Sequence, residues 1–439
     1  MNQTVQSLSG AKPRRYPSVA SAVLLATSAL LLACNDPILT SSPRPLLFES
    51  DVRVGILHSR TGTMAISEHT VAEAELLAIE ELNRAGGLEI QGKRFEIIAI
   101  EEDGASDWPT FAKKAAQLID RDKVAVIFGG WTSASRKAML PVFESRNHLL
   151  FYPTQYEGQE CSENIFYAGA TPNQQAEPAV RWLLANKSKD FFLAGSDYVY
   201  PRTVNSIIRA QLEASGGNVA GEGYLPLGSR DAEPLVKKIK RSLPDGGAVI
   251  NTLNGDSNVE FFRQMKEAGI DEEHGYSIMS FSISEEEVLA IGPDYLKGTY
   301  AAWSFFETLD TADSRTFTES FTEMHGINRV TSEPAEAAYS MVYLWAAAAE
   351  KAGSIEPEAV RKALIGIQFV SPAGLVEVMP NHHLSKEALI GRVDNDGMFE
   401  IVARFGSIDP VVWSPLLETD GHYRCDWRLD RPDAGRFRP

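Results

Sequence analysis

Residues 124–137 read VAVIFGGWTSASRK, an apolar run followed by two glycines, a tryptophan and a hydroxyl-rich segment. The apolar run predicts a buried strand, and residues 133–145 place apolar side chains at helical spacing. A buried strand that turns through glycines directly into a helix is the repeating unit of a parallel α/β sheet. This stretch therefore predicts an α/β fold.

The same unit recurs on both sides of this stretch. Strands are predicted at 52–57, 95–100, 124–128, 148–152, 191–194, 219–225, 248–251 and 276–280, with helices at 71–83, 110–120, 133–145, 175–186, 202–215, 232–242 and 259–268. Segments 164–170 and 299–305 are predicted to cross between two such units, and a hairpin at 390–404 completes the second. The fold class that follows is α/β, with two doubly wound parallel-sheet lobes joined by three crossings.

The predicted domain boundaries follow from these crossings. Lobe 1 comprises 52–170 plus 305–372, because helices at 314–325, 334–352 and 356–364 could return to the first unit; lobe 2 comprises 171–304 plus 373–405, and residues 406–439 form a C-terminal tail. Two lobes on short crossings can close around a ligand. In such sheets ligands bind at the carboxyl ends of the strands, so the loops there are the candidate site.

The first residues have the pattern of an export signal. Residues 1–33 contain Lys12, Arg14 and Arg15 but no acid, and they end in an apolar, small-residue run, which is typical of a signal peptide. Leu31-Leu32-Ala33-Cys34 resembles a bacterial lipobox, in which the cysteine is lipidated; an ordinary signal peptide with an incidental cysteine is the alternative. We expect a linker at 34–51 and a protein outside the cytoplasm, in the periplasm, lipid-anchored at the outer face of the cytoplasmic membrane.

Composition excludes several function classes. The 439 residues include 42 Lys plus Arg against 59 Asp plus Glu, a net charge of −17, which disfavours nucleic acid as a partner. The three cysteines form no C-x-x-C pair, so no metal site or cofactor is expected. Cys161 and Cys425 could form a disulfide in an oxidising compartment, or remain separate thiols.

An enzyme is not predicted. His382-His383 is the only adjacent histidine pair, and neither an H-E-x-x-H nor a G-x-S-x-G motif accompanies it. These histidines are interpreted as surface residues. Amide hydrolysis by Cys161 would need a base and an oxyanion hole that the sequence does not supply.

The loops after the strands carry the candidate ligand-binding residues: Trp131, Ser133, Tyr152, Thr154, Tyr198 and Ser282. Trp131 offers a flat wall beside the two glycines, although it could instead pack a helix. Asp256 and Ser284 are predicted to cap helices rather than to contact a ligand. The loop at 58–63 could line the cleft or be an ordinary turn.

Several segments resemble the urea-binding proteins of urea ABC transporters and, more distantly, the short-chain amide receptors. Both groups belong to the type I periplasmic binding proteins, with the branched-chain amino acid receptors. The resemblance extends over about residues 52–404 and is carried by 129–137 (GGWTSASRK), 156–162 (YEGQECS), 172–175 (PNQQ), 195–202 (GSDYVYPR), 254–259 (NGDSNV) and 381–383 (NHH).

The resemblance implies a role for each candidate residue. Trp131 and Ser133 would hold the ligand from the glycine-rich loop, Tyr152 and Thr154 from the next strand end, and Tyr198 and Ser282 from the other lobe. Urea has four N–H donors and one carbonyl acceptor, so hydroxyl groups suit it. The expected function is capture of urea or a short-chain amide for an ABC transporter permease. An amide or amino acid receptor or sensor of the same fold is the alternative, and a hydrolase is the least favoured.

Overall fold

The computed structural model describes residues 48–417, 423–428 and 435–437. The predicted signal peptide, the predicted lipidation site Cys34 and most of the predicted linker lie outside these residues. None of the helices among the described residues combines the length and the hydropathy that a membrane span requires. The strands are β1 (Ser50–His58), β2 (Leu88–Ile90), β3 (Lys93–Asp103), β4 (Ile127–Gly129), β5 (Leu150–Tyr152), β6 (Ile165–Tyr167), β7 (Asp190–Ser196), β8 (Asn218–Leu225), β9 (Gly247–Thr252), β10 (Tyr276–Ser280), β11 (Tyr300–Trp303), β12 (Gln368–Ser371), β13 (Gly374–Val378), β14 (Leu384–Val393), β15 (Phe399–Ile408), β16 (Arg424–Asp426) and β17 (Gly435–Phe437). The helices are α1 (Ala65–Arg84), α2 (Trp108–Asp120), α3 (Ser133–Arg146), α4 (Ala176–Asn186), α5 (Val199–Ser215), α6 (Glu233–Ser242), α7 (Ser257–Glu267), α8 (Glu285–Ile291), α9 (Pro293–Leu296), α10 (Ala312–His325), α11 (Glu333–Ala352) and α12 (Pro357–Leu364), with short 3₁₀ turns at Pro172–Gln174 and Glu272–His274.

The first lobe is built on a sheet of order β2-β3-β1-β4-β5-β6, in which all neighbours are parallel except β2 and β3. Alternate side chains of β1 point to opposite faces, as in any strand. Val52, Val54 and Ile56 pack in the core that includes α1 and α11, and Leu57 packs in the core that includes α2 and α3. Helices on both faces leave the carboxyl ends of the strands as the open edge.

The second lobe repeats this plan with the sheet order β8-β7-β9-β10-β11-β14, and β15 also pairs with β14. The strands from β7 to β11 are parallel, whereas β14 is antiparallel to β11. Phe192 and Ala194 pack with α6 and α7 on one face, and Phe191 and Leu193 pack with α4 and α5 on the other. The predicted fold class is therefore confirmed, and the two sheets are the bodies of the two lobes.

The crossings differ in detail from the prediction. Residues 164–170 were expected to cross, but Ile165–Tyr167 pair with β5 as the last strand of the first sheet, and the crossing follows them. The second lobe was expected to resume at residue 373, whereas Val376 and Val378 pack in the core of the first lobe. The division falls inside β14, because Leu384 pairs with β13 and residues 389–393 pair with β11 and β15.

The two later cysteines are joined. Cys161 and Cys425 form a disulfide, with 5.9 Å between their Cα atoms and a sequence separation of 264. Cys161 belongs to the loop between β5 and β6, and Cys425 to the short strand β16. The C-terminal segment is thus attached covalently to the loop that follows β5.

Candidate ligand-binding cleft

Loops from both sheets meet between the two lobes. The six predicted residues lie in these loops or in the helix and strand ends beside them, and all are at most 7 % exposed: Trp131, Ser133, Tyr152, Thr154, Tyr198 and Ser282. Burial of so many hydroxyl and indole groups requires hydrogen-bond partners for them. The identity of those partners decides which groups remain available to a ligand.

The glycine-rich loop holds Trp131 at the lobe boundary. A Cβ on Gly129 would lie 2.0 Å from the carbonyl oxygen of Leu57, and Gly129 has a φ of +141°, so glycine is required there. The Trp131 ring packs in the first-lobe core, while its Nε1 donates to Oδ1 of Asn254 in the second lobe at 3.1 Å. The ring therefore packs in the core, as one of the two predicted alternatives has it, and its N–H makes a bridge between the lobes that was not predicted; its role as a wall for the ligand stays a prediction.

Three predicted hydroxyl groups are already engaged inside the first lobe. The Tyr152 hydroxyl donates to the carbonyl oxygen of Trp131, and Thr154 Oγ1 donates to that of Gly130 at 3.2 Å. The Ser133 hydroxyl donates to the carboxylate of Glu157. These side chains shape the wall of the cleft, and their hydroxyl protons are occupied.

A buried cation lies behind this wall. Arg136 Nε donates to Oε1 of Glu160 at 2.8 Å, and its Nη2 donates to Oε1 of Glu157 at 3.4 Å. Its guanidinium carbon lies 4.7 and 4.5 Å from the ring centroids of Tyr152 and Tyr156. Burial alone would raise the pKa of Glu160, but Arg136 and a neighbouring lysine lower it to about 2. The two carboxylates therefore already balance the charges of Arg136 and Lys137.

The second lobe contributes two phenols, Tyr198 and Tyr200, which lie near Tyr152 and Glu157 of the first lobe. Burial raises the pKa of Tyr198, and nearby Tyr152, Tyr200 and Glu157 add to that rise. Burial also raises the pKa of Tyr200, although Ser282 and Gln155 act in the opposite sense. Both phenols are neutral at neutral pH. The Tyr200 hydroxyl has no hydrogen-bond partner of ordinary geometry in the described chain.

Gln155 is a functional candidate that the sequence prediction missed. Its Nε2 donates across the cleft to the carbonyl oxygen of Phe281 at 2.7 Å and to Oγ of Ser282 at 2.9 Å. Its Oε1 is buried and has no partner among the described residues. Gln155 and Glu157 belong to the strand-end loop that carries Thr154, and this position was the available signal.

A second bridge between the lobes involves the loop at 58–63. The Thr63 hydroxyl donates to Asp256, and the backbone N–H of Asp256 donates to the carbonyl oxygen of Thr63 at 3.0 Å. Asp256 was predicted to cap α7, but its side chain makes no cap bond and faces Thr63 instead. Ser284 does cap α8, in a capping box with Glu287, as predicted.

The histidines are buried, which corrects the prediction that they lie on the surface. His382 and His383 are at most 1 % exposed and stack on Phe166 and Tyr167 at 4.2 and 4.3 Å between ring centroids. Burial lowers the pKa of both to about 3. His58 behaves oppositely: burial would lower its pKa, but Glu75 and Glu68 raise it to about 9. In the described ranges no group of three or more His, Cys, Asp or Glu is placed to hold a metal ion.

The chain is similar in sequence to a known protein family and to several characterised proteins. The sequence profile described as the periplasmic binding protein domain matches residues 52–419. The leucine-, isoleucine-, valine-, threonine- and alanine-binding protein of Pseudomonas aeruginosa is 24% identical over 330 residues, covering 74% of this chain and 84% of that protein. Limonene hydroxylase of Geobacillus stearothermophilus is 31% identical over 127 residues, and that match covers 29% of this chain and only 23% of the hydroxylase.

Solved structures agree with the fold. The solute-binding protein of an ABC transporter from Rhodopseudomonas palustris, solved with 3,4-dihydroxybenzoic acid, superimposes with a TM-score of 0.72. The two chains are 21% identical, and the superposition covers 82% of this chain and 98% of that chain. At this identity the likeness concerns the fold alone.

Proposed function

Because the chain belongs to the periplasmic binding protein family, whose members bind a small solute outside the cytoplasm for an ABC transporter, we propose that its solute is urea or a short-chain amide. The lobes close on this ligand and present it to the permease. Closure responds to a ligand only as far as the ligand binds the closed form better. Groups that contact the ligand from both lobes at once are therefore the ones that stabilise the closed form.

The observation that carries the proposal is the unpartnered Oε1 of Gln155, buried between the lobes. A buried acceptor without a donor costs about 1–3 kcal/mol, so a ligand that supplies an N–H recovers that free energy. The Tyr200 hydroxyl has no partner of ordinary hydrogen-bond geometry in the described chain, although Ser282 and Gln155 lie close enough to lower its pKa, and Glu157 lies close by. An amide with several N–H donors and one carbonyl oxygen complements this set.

Charge and space favour a small neutral ligand over a carboxylate. Arg136 is paired with Glu157 and Glu160, so a ligand carboxylate beside it would add a third negative charge. The opposing walls already touch through Gln155 and Ser282 and through Trp131 and Asn254, at 2.9 and 3.1 Å. These direct contacts favour a ligand of few atoms over an aromatic acid.

A polar amino acid is the second candidate. Its ammonium could pair with Glu157, which is 1 % exposed, and the Pseudomonas relative is named for amino acid binding. Its carboxylate would still need donors, and that is why the neutral amide is preferred. Hydrolysis by Cys161 is disfavoured, because the disulfide leaves that residue without a thiol.

Calorimetric titration tests the ligand assignment. Urea, formamide, acetamide, leucine and 4-hydroxybenzoate are titrated separately into the mature protein. We expect saturable heat with urea or an amide and none with 4-hydroxybenzoate. Saturable heat with leucine alone would show that the ligand is an amino acid instead of an amide. The absence of binding heat with urea and with both amides would refute the proposal. Release of ammonia from urea with sustained turnover would instead indicate an enzyme.

We further propose that Cys34 carries the lipid that anchors the protein. The lipobox-like sequence before it supports this. Metabolic labelling with radioactive palmitate should label the wild type and not Cys34→Ala. Label that persists in Cys34→Ala would refute the anchor.

A further inference from the structure

The ligand loop, defined here as residues 153–164 between β5 and β6, has two different sides. Gln155 donates across the cleft to the second lobe, and Glu157 lies close enough to Tyr198 and Tyr200 of that lobe to raise their pKa. Gly158, Gln159 and Cys161 contact the C-terminal segment instead. This segment, residues 409–417 and 423–428, is called the strap below. The side chains proposed to reach the ligand and the residues that contact the strap thus follow one another within one short loop.

The strap contacts the loop at three positions within four residues, Gly158, Gln159 and Cys161. The backbone N–H of Gln159 donates to the carbonyl oxygen of Val412 at 2.8 Å. A Cβ on Gly158 would lie 2.4 Å from the same oxygen, so strap and loop backbones are in direct contact. The disulfide between Cys161 and Cys425 fastens the end of the loop.

The other end of the strap is fastened to the crossing between the lobes. Asn173 Nδ2 donates to the carbonyl oxygen of Asp409 at 2.8 Å, and the N–H of Val411 donates to Asn173 Oδ1 at 2.9 Å. The strap follows β15, which pairs with β14 in the second lobe. It therefore leaves the second lobe, passes the crossing and ends covalently on the first lobe.

We propose that the strap is a fourth connection between the lobes that positions the ligand loop, with Cys161, Cys425 and Gly158 as positioning residues for ligand binding. They act through the loop backbone, which sets where Gln155 and Glu157 stand when the lobes close. A positional error in such a loop is costly, because a bound ligand needs its partners at hydrogen-bond distance. The inference rests on the proposed function only in taking the cleft as the ligand site.

The test uses the full mature protein and two variants of the strap contact. Cys161→Ser/Cys425→Ser removes the covalent link, and Gly158→Ala introduces a Cβ that must push Val412 away. Val360→Ala is the control, because Val360 is fully buried in the first-lobe core and its truncation lowers stability without touching the strap. All proteins are measured well below their thermal midpoints.

The first readout needs no ligand. Hydrogen–deuterium exchange of the backbone amides at 155–162 should become faster in both strap variants and stay unchanged in Val360→Ala. The second readout is calorimetric affinity for urea or the amide that binds, which should fall about tenfold in the strap variants only. A merely structural disulfide would lower the thermal midpoint in the same way as Val360→Ala, with unchanged affinity and exchange, and that result would overturn the proposal.

The two proposals fail in different ways. Absence of ligand heat with the wild type refutes the amide assignment, while the exchange experiment still decides the role of the strap. Unchanged loop exchange in both strap variants refutes the strap, whatever ligand binds. A gain in exchange confined to residues 423–428 would also refute it, because the loop would then be held without the strap.

Discussion

Trp131→Phe is expected to weaken ligand binding by preventing full closure. In the closed protein the Trp131 indole N–H donates to Oδ1 of Asn254 in the opposite lobe at 3.1 Å. Phenylalanine keeps the aromatic wall but leaves that buried oxygen without its donor, a cost of about 1–3 kcal/mol. In the open form water can reach Asn254, so the cost falls on the closed form alone. The affinity should therefore drop about 5- to 140-fold.

Trp345→Phe is the matched control for this prediction. Trp345 is fully buried in the first-lobe core, and its indole N–H has no partner among the described residues, so the same substitution removes no hydrogen bond. Titration calorimetry measures both affinities, and small-angle scattering measures closure on adding ligand. Trp345→Phe should lose stability and keep its affinity. Equal affinity loss in both variants, or none in Trp131→Phe, would refute the bridge between the lobes.

Two further substitutions test the cleft, and a third tests a buried carboxyl group. Gln155→Met should weaken amide binding by about 1–3 kcal/mol in calorimetry, whereas Gln211→Met, which removes an equally buried and unpartnered Oε1 outside the cleft, should leave it unchanged. Glu157→Gln removes one of the two negative charges that balance Arg136 and Lys137, so in equilibrium titrations it should lose affinity for the amide and gain affinity for acetate; no gain for acetate would contradict the charge argument. Burial raises the pKa of Glu285 from 4.5 to about 8, so the folded protein keeps a proton that the unfolded chain releases, and the free energy of unfolding should fall between those pH values by up to about 1.4 kcal/mol per unit. In Glu285→Gln the thermal midpoint should fall less between pH 5 and 8 than in the wild type, and identical pH slopes would exclude this carboxyl.

The fold could be predicted because its central strands are apolar runs followed by helices. Both sheets and their order of elements follow from that alternation. The three-residue strand at 165–167 was interpreted as a crossing, because such a short strand is defined by its partner, here β5, and not by its own pattern. The lobe boundary was placed too early for a related reason. Val376 and Val378 are apolar strand residues that could pack in the core of either lobe, and their sequence does not distinguish the two cores.

The candidate site could be predicted only in part. Strand-end loops rich in hydroxyl groups correctly indicated where the lobes meet. The sequence could not show that Ser133, Tyr152 and Thr154 direct their hydroxyl groups at Glu157 and at backbone carbonyls, because those partners are brought together by folding. Gln155 was missed since an amide in a loop has no distinctive pattern until the opposite lobe is in place. The ligand contacts of the six predicted residues remain predictions.

The disulfide fixes the order of steps in the maturation of the protein. Cys425 follows Cys161 by 264 residues, so the bond can form only after the chain has been synthesised and exported through residue 425. Until then the loop that carries Gln155 and Glu157 lacks its covalent fastening. The reducing cytoplasm postpones the bond further, since disulfides persist in oxidising compartments. A chain still in transit is thus not yet a finished receptor, and the last step of its maturation takes place on the side of the membrane where its solute is found.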